Sequence, residues 1–247
     1  MAHLFISRVA IGLPIPRPTI RQIKQGDVIR VSRPDGSGDV TDALKAYGKK
    51  VASLTKHLSG YVFCAKSPTC GMERVKIYSP EGNSLPSKGV GAFAKEIMEA
   101  NPLLPCEENG RLNDMLIREN FVARVFAYKH WQNIVASGLT KHKLTTFHSQ
   151  YKYTVMSHDL IAYKKLGQLL ARADLSLEDM AAQYIAGLMA ALTIKATRKK
   201  HANTLAHIQG YFSKHLKSNE RQELCEQINA YREGLIPLIA PLTLVNH

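Results

Sequence analysis

The 247-residue sequence is short of cysteine and of long apolar runs, and both shortages exclude classes of protein. Four cysteines are too few for a disulfide scaffold at this length, so we expect reduced thiols. No charge-free apolar stretch reaches the length of a membrane span. The first apolar run contains Arg8 and is followed closely by three prolines, which is not the pattern of a secretory signal. We therefore expect a soluble cytoplasmic protein with no membrane partner.

Acidic residues are also scarce. The chain has 20 Asp and Glu against 33 Lys and Arg, a formal net charge of +13, and its pI is about 9.6. Residues 1–112 carry 16 basic against 10 acidic residues, and residues 113–247 carry 17 against 10, so the excess is not confined to a tail. Nucleic acid is the natural polyanionic partner for such a surface. A basic protein without a nucleic-acid partner is the alternative, and charge alone leaves it open.

The pattern of apolar residues changes along the chain. In the first part, short apolar runs bounded by turn residues predict strands at 28–32, 58–65 and 75–78, with a further strand over the first six residues. From residue 113 onward the strand signals stop and helical spacing takes over. The sequence therefore predicts an α/β N-terminal domain, 1–112, followed by an all-α helical C-terminal domain, 113–247, with the boundary near Leu112.

Local signals define the ends of several predicted elements in the helical part. Thr140 and Ser176 are in position to cap two helices, the second of them at a start that resembles a capping box. The closing segment, 235–243, is apolar and contains Pro237 and Pro241. Because proline interrupts helices, this segment is predicted to be an extended tail that packs back onto the domain.

A single cysteine lies at the centre of the most distinctive stretch, Lys66-Ser67-Pro68-Thr69-Cys70-Gly71-Met72-Glu73-Arg74-Val75. Pro68 favours a turn, and Gly71 lets the backbone pass close to whatever Cys70 holds. The predicted strand before this stretch ends where α/β proteins often keep their sites. The alternative is that Cys70 is a small buried apolar residue in a turn.

Two adjacent carboxylates, Glu107 and Glu108, stand close to Arg111 ahead of a predicted helix. Such a pair can orient a catalytic water or another side chain. The alternative is a solvated turn whose negative charge favours the start of the helix. Earlier in the chain, Gly89 and Gly91 open another helix and could present backbone N–H groups to a phosphate, although close packing also explains them.

The helical part has clusters of basic and aromatic residues. Lys152 stands between two tyrosines, and Arg198, Lys199, Lys200 and His201 follow one another within two turns of another helix. Basic residues interleaved with aromatics suit a phosphate backbone and unstacked bases. A helical bundle with a charged exterior is the competing interpretation.

The ordered motifs resemble those of a known family. The stretch from Lys66 to Val75, together with the preceding segment 12–18, resembles the TudS-type thiouracil desulfidases. The run 107–114 is similar to the join between that domain and a YbgA-like helical domain, whose motifs resemble 118–121, 147–153, 197–203 and 236–239. The two-domain form is the RudS type, which the family links to removal of sulfur from 4-thiouridine in tRNA.

The resemblance implies a cofactor and a mechanism. Family members hold a 4Fe-4S cluster with three cysteines, and the open iron takes the sulfur of the thiolated base while water replaces it. Cys70 matches one of the metal ligands. We predict Ser67, Glu107 and Glu108 as catalytic residues, and the two glutamates are chosen for their adjacent carboxylates rather than for a matching family role. The expected RNA-binding residues are Arg17, Lys66, Lys152, Arg198, Lys199, Lys200 and His201.

The chain departs from the family at its start. The family places one cluster cysteine in an opening Ser-Cys-Leu-Leu-Gly segment and another in a Cys-Pro-Glu segment, whose positions here match Ile6, Ser7 and Arg8. We therefore expect two of the three cluster ligands and the family's likely catalytic glutamate to be absent. We also expect a first domain that is shortened at its N-terminus and lacks its first strand. A noncatalytic RNA-binding or interaction protein built on the helical domain is the alternative. An enzyme that uses Cys70 alone as a nucleophile is a third possibility.

Overall fold

The computed structural model describes residues 19–246, which divide into two compact units at residues 19–130 and 131–246. The first unit contains sheets and the second contains helices, so the predicted fold class, α/β followed by all-α, is confirmed. The helix Met115–Ala136 begins in the first unit and ends in the second. The predicted strand over the first six residues, the missing first strand and Arg17 lie outside the described residues.

The first unit holds six strands within the described residues: β1 (Arg21–Gln25), β2 (Val28–Ser32), β3 (Tyr61–Phe63), β4 (Val75–Tyr78), β5 (Ser84–Gly89) and β6 (Cys106–Glu108). Four of them form a mixed sheet in the order β2-β1-β4-β5, in which only the β1–β4 pair is parallel. The other two, β3 and β6, pair in parallel. Two helices, α1 (Thr41–Leu54) and α2 (Ala92–Ala100), accompany the sheets.

Strand alternation explains which residues form the core of this unit. In β3, Tyr61 and Phe63 are buried and the residue between them is exposed, and β4 buries Val75 and Ile77 in the same way. Phe63 belongs to an apolar cluster with Phe93 and Ile97 of α2. The predicted strands at 28–32 and 75–78 are confirmed, whereas the strand predicted at 58–65 is shorter.

Three strands escaped prediction: β1, β5 and β6. Strand β1 has the sequence Arg-Gln-Ile-Lys-Gln. Because four of its five residues are polar, the apolar alternation typical of a strand is not visible. Strand β1 pairs in antiparallel register with β2 across a two-residue turn at Gly26 and Asp27. Gly26 has φ of 61°, a conformation that glycine adopts without the steric penalty of a side chain. The Gly-Asp pair is the signal that could have revealed the hairpin.

The helical region consists of α3 (Met115–Ala136), α4 (Lys141–His158), α5 (Leu160–Ala171), α6 (Leu177–Thr193), α7 (Arg198–Phe212), α8 (Ser218–Glu233) and α9 (Ile239–Val245). The predicted caps are confirmed: the Thr140 hydroxyl accepts from the Lys143 N–H, and the Ser176 hydroxyl accepts from the Asp179 N–H. Thr197 caps α7 in the same way.

Two apolar groups hold the second unit together. Trp131, Phe147 and Tyr184 pack as an aromatic group in which ring centroids are 5.4 to 6.3 Å apart. A second cluster joins α7 to α8 through Ala202, Leu205, Leu224 and Ile228. In the described part of the chain, no helix is both long enough and apolar enough to cross a membrane.

The prediction of an extended closing tail is wrong, because α9 occupies residues 239–245. Pro241 lies in the first turn of this helix, where a missing N–H removes no intrahelical hydrogen bond. Leu238, Leu244 and Val245 pack against the cluster between α7 and α8. Apolar burial therefore stabilises a short helix that its prolines appeared to forbid.

Candidate active site and basic helical surface

The Cys70 loop is a compact hydrogen-bonded turn that follows β3. The Ser67 hydroxyl accepts from the N–H groups of Thr69 and Cys70, at 3.3 and 3.2 Å. The Gly71 N–H donates to the Ser67 carbonyl at 2.8 Å. The Cys70 Sγ lies 3.3 Å from the Thr69 hydroxyl, and Cys70 is only 4% exposed. Ser67 thus organises the turn that carries the cysteine.

The glycines around this loop are required by close packing. A Cβ on Gly71 would lie 2.6 Å from a Val75 methyl and 2.8 Å from the Ser67 carbonyl oxygen. A Cβ on Gly91 would lie 2.4 Å from the Thr69 carbonyl oxygen. All three distances are shorter than a real Cβ contact allows. Gly71 therefore permits a close approach to the loop's own backbone and to Val75. Its approach to a group held by Cys70 stays a prediction.

The start of α2 is occupied by the Cys70 loop. The Thr69 carbonyl accepts from the N–H groups of Phe93 and Ala94, at 2.9 and 3.2 Å, and the Pro68 carbonyl accepts from Ala92 at 3.3 Å. Gly91 donates to the Gly71 carbonyl at 2.8 Å. The suggestion that these glycines present free N–H groups to a phosphate is therefore wrong, and close packing is the correct explanation.

Glu108 anchors the other side of the same loop. It is fully buried at the end of β6, and its Oε1 accepts from the N–H groups of Met72 and Glu73, at 3.1 and 3.4 Å. Its Oε2 is 3.1 Å from the Arg74 guanidinium. Parallel pairing of β3 with β6 places Glu108 opposite Phe63, the last residue of β3, and the Cys70 loop follows β3 in the chain. Both carboxylate oxygens of Glu108 are thus used to hold the loop.

Glu107 is also buried, but its carboxylate has different hydrogen-bond partners from that of Glu108. Its Oε1 accepts from the Arg111 Nε at 2.7 Å and from the Glu108 N–H at 2.9 Å. Arg111 also contacts Glu73 at 3.0 Å. Burial alone would lower the pKa of Arg111, but the Glu107 hydrogen bond and the neighbouring carboxylates outweigh it and raise that pKa. The Oε2 of Glu107 has no hydrogen bond within residues 19–246, so this carboxylate retains one acceptor.

The structure therefore places Ser67 and Cys70 in one turn and Glu108 against the same loop, whereas Glu107 is connected to that loop through Arg111 and Glu73. The idea that the two glutamates form a solvated turn is wrong, because both are buried. Their catalytic roles stay predictions. Sequence reasoning did not single out Glu73 and Arg74, although both belong to the motif. Arg74 and Lys66 flank the loop with φ of 56° and 59°, unusual values for residues with a Cβ.

The cysteines do not assemble into a cluster site. Cys64 and Cys106 pack with Cys70 around one apolar cluster, and none of the four cysteines forms a disulfide. Burial raises the pKa of the Cys106 thiol to about 12, which opposes the thiolate that iron requires. Within residues 19–246, no three His, Cys, Asp or Glu side chains come close enough to hold a metal. The residues present do not fit the 4Fe-4S cluster that the resemblance implies.

The predicted RNA-binding residues of the second unit fall into two kinds. The Lys200 ammonium donates to the carbonyls of His158 and Lys195, at 2.6 and 3.2 Å, and His201 Nδ1 is 2.7 Å from the Tyr231 hydroxyl. Both therefore link helices. Arg198 and Lys199 are exposed.

Lys152 and Lys66 complete the predicted set within the described residues. The Lys152 ammonium lies 4.8 Å from the ring centroid of Tyr153, a cation–π contact. Tyr153 in turn meets His207 edge to face. Lys66 is exposed at the start of the Cys70 loop. RNA binding by these residues stays a prediction.

Comparison with known proteins agrees with this two-part organisation. Residues 7–109 match the family model of 2-thiouracil desulfurase, and residues 152–247 match a protein family of unknown function (DUF1722). The uncharacterized protein YbgA of Escherichia coli (strain K12) is 36% identical over 131 residues, which cover 52% of this chain and 78% of that protein. No solved structure gives a significant match.

The fold and the family matches define a two-domain protein with a thiouracil desulfurase domain ahead of a helical domain. The chain belongs to the YbgA family and carries that family's helical domain fused to the desulfurase domain. The first domain supports a desulfidase-type function.

Proposed function

We propose that this protein removes sulfur from 4-thiouridine in tRNA and that its helical unit holds the RNA. The observation that carries the proposal is the match of residues 7–109 to 2-thiouracil desulfurase, because that match encloses the buried Cys70 loop. In the overall reaction, a water oxygen bonds to the ring carbon and the carbon–sulfur bond breaks. Both water protons leave with sulfur as hydrogen sulfide, so uridine is formed without any net oxidation or reduction.

Glu107 is better placed than Glu108 to accept a proton from the attacking water. Both oxygens of Glu108 already accept from backbone N–H groups or from Arg74. Glu107 keeps Oε2 available, and Arg111 holds its other oxygen at 2.7 Å. A general base needs a free acceptor in a fixed position. In this proposal Glu107 takes the water proton, Glu108 positions the Cys70 loop, and Ser67 holds the turn that presents Cys70.

The RNA partner is supported by charge. The net charge of +13 and the exposed Arg198 and Lys199 suit the phosphate backbone.

The test combines metal analysis with turnover. Full-length protein is treated anaerobically with iron and sulfide, and iron and acid-labile sulfide per chain are measured. The same sample is incubated with tRNA that contains 4-thiouridine, and nucleoside analysis follows conversion to uridine together with released sulfide. We expect conversion, and we expect Glu107→Gln to slow it by about 10²- to 10⁴-fold. Cys225→Ser, on the exposed face of α8, is the control that keeps full activity. Absence of conversion, with or without bound iron, would reject the proposal.

A second candidate is a noncatalytic RNA-binding protein built on the helical unit. It is favoured by one observation, the failure of the described cysteines to form a three-ligand group. This candidate predicts tRNA binding without iron, without sulfide release and without any effect of Glu107→Gln. The same experiment therefore separates the two functions.

A further inference from the structure

A groove runs between α7 and α8 in the helical unit. Its volume is about 380 Å³. Lys199 and Asn203 line it from α7, Asn229 and Arg232 line it from α8, and Ala202 and Ile228 form part of its floor. The rim thus offers two cations and two amides above an apolar surface.

The groove is held by its own helix pair. Ala202 and Ile228 belong to the apolar cluster that joins α7 to α8. At one end, His201 Nδ1 is 2.7 Å from the Tyr231 hydroxyl, and at the other, the Gln209 amide donates to the Arg221 carbonyl at 2.7 Å. Because these contacts hold both helices in place, the rim side chains project from a preformed frame.

The polar side chains of the rim have no partner among the described residues. The side chains of Lys199, Asn203, Asn229 and Arg232 make no hydrogen bond or ion pair with any residue in 19–246, and all four residues are exposed. Arg232 lies in the last turn of α8, where the macrodipole favours a cation. Helix α8 carries four glutamates and only two arginines, yet none of those glutamates lines the groove. The charge of the groove is therefore positive although one of its two helices is acidic.

The position of the cations on α7 supports a functional role. Arg198 and Lys199 lie in the first turn of this helix, where the macrodipole disfavours positive charge. Lys200, in the same turn, is explained by its hydrogen bonds to backbone carbonyls. Arg198 lies over the end of α8, with its Nη1 2.7 Å from where a Cβ on Gly234 would be. The fold gains nothing evident from Lys199, so we attribute it to a ligand.

We propose that the α7–α8 groove binds a nucleotide of single-stranded RNA. Lys199 and Arg232 contact phosphates, because cations bind the backbone without regard to sequence. Asn203 and Asn229 contact a base edge, since a side-chain amide both donates and accepts hydrogen bonds. The apolar floor receives the face of the base. The inference rests on the proposed function in taking RNA as the ligand, and it adds Asn203, Asn229 and Arg232 to the RNA surface.

The test measures binding of a fluorescently labelled, mixed-sequence single-stranded RNA to the full-length protein by anisotropy over a range of salt concentrations. Lys199→Ala with Arg232→Ala is expected to weaken binding at least tenfold. It should also reduce the slope of log affinity against log salt by about 1.4, which corresponds to two phosphates at about 0.7 each. Asn203→Ala with Asn229→Ala should change the preference among homopolymeric RNAs and leave the salt slope unchanged.

Lys164→Ala with Lys165→Ala is the matched control. Both lysines are exposed on α5, outside the groove, and the double variant loses the same charge from the same unit. It should bind nearly as well as the wild type. An equal loss in both double variants would mean diffuse electrostatic attraction and would overturn the groove. Tighter binding of duplex RNA or of polyglutamate would also overturn it. Circular dichroism of each variant verifies folding.

Binding is measured without turnover, so the inference and the proposed function fail in different ways. Groove-dependent RNA binding without sulfide release supports the groove and rejects the desulfidase. If sulfide is released from tRNA and the groove variants bind RNA as tightly as the wild type, the desulfidase function is supported and RNA binding in the groove is rejected.

Discussion

The charged side chains of the two candidate sites differ in their burial and in their protein partners. Around the Cys70 loop, Glu107 and Glu108 are buried, and backbone N–H groups and arginines hold them. Along the α7–α8 groove, Lys199 and Arg232 are exposed and have no protein partner within residues 19–246. Buried charges must be paired inside the protein, whereas exposed ones remain available to a ligand. The first arrangement is typical of a preorganised reaction site and the second of a surface that recognises an anion.

The largest expected effect comes from breaking the buried arrangement with Glu108→Ala. The change leaves two backbone N–H groups and Arg74 without their acceptor. We expect the free energy of unfolding of the first unit to fall by about 3 kcal/mol. Reactivity of the buried cysteines during urea unfolding reports this unit, in a Cys225→Ser background that removes the exposed thiol.

Glu99→Ala serves as the control for Glu108→Ala. Glu99 is exposed on α2, and its one ion pair within residues 19–246 is with Lys95, at 3.7 Å. Its loss should change the free energy of unfolding by less than about 0.5 kcal/mol. Similar losses in the two variants would show that Glu108 does not hold the Cys70 loop.

A smaller effect is expected from Gly91→Ala, which forces a methyl group to 2.4 Å from the Thr69 carbonyl oxygen. Overpacking of this kind costs about 1–3 kcal/mol in the free energy of unfolding. Gly167→Ala on α5 is the matched change, because a Cβ there meets no atom within 4 Å. Since alanine is the better helix former, that variant should gain about 0.5–1 kcal/mol. Thiol reactivity follows the first variant and tryptophan fluorescence the second. A tolerated Gly91→Ala would contradict the close packing of loop and helix.

Lys199 and Lys200 allow a paired and an unpaired charge to be compared within one turn of α7. Lys200→Ala removes hydrogen bonds to the His158 and Lys195 carbonyls and should lower the free energy of unfolding by about 1 kcal/mol. Lys199→Ala should leave it unchanged or raise it by about 0.3 kcal/mol, since a cation leaves the helix start. Trp131, the single tryptophan, is buried in the second unit, so its fluorescence follows both variants. Equal losses would place the two lysines in the same role.

The smallest effect concerns pH. Burial lowers the pKa of His158, whose Nδ1 is 2.6 Å from the Ile194 carbonyl, and burial also lowers the pKa of His148. In the unfolded chain a histidine titrates near its ordinary value of about 6.5. Below that pH the unfolded state binds more protons, so this stability is complete above about pH 6.5 and is lost as the pH falls below it.

The urea midpoint of Trp131 fluorescence should therefore decrease between about pH 7 and pH 5.5. His158→Gln should flatten part of this dependence, and His148 accounts for a further part. A midpoint that rises on acidification would show that the histidines are stabilised in their charged form.

Local signals made some of this structure predictable. Thr140 and Ser176 were recognised as caps because a cap bonds to an N–H three residues away. Strand β6 was missed because Cys-Glu-Glu reads as a polar turn, and the partners that bury Glu108 come from 34 to 36 residues earlier. Lys199 and Lys200 are indistinguishable in sequence, and the His158 carbonyl that separates their roles is 42 residues from Lys200. Contacts between residues far apart in the sequence thus determine these roles, which the local sequence pattern does not reveal.

The hydrogen bonds from Phe93 and Ala94 to the Thr69 carbonyl give the loop an internal reporter. Cys70 is only 4% exposed, so its thiol becomes accessible to a ligand only when the loop opens. Such opening would free the two amides at the start of α2, and they would exchange with deuterium together. Their exchange rates therefore measure how often the cysteine becomes accessible, without any substrate present.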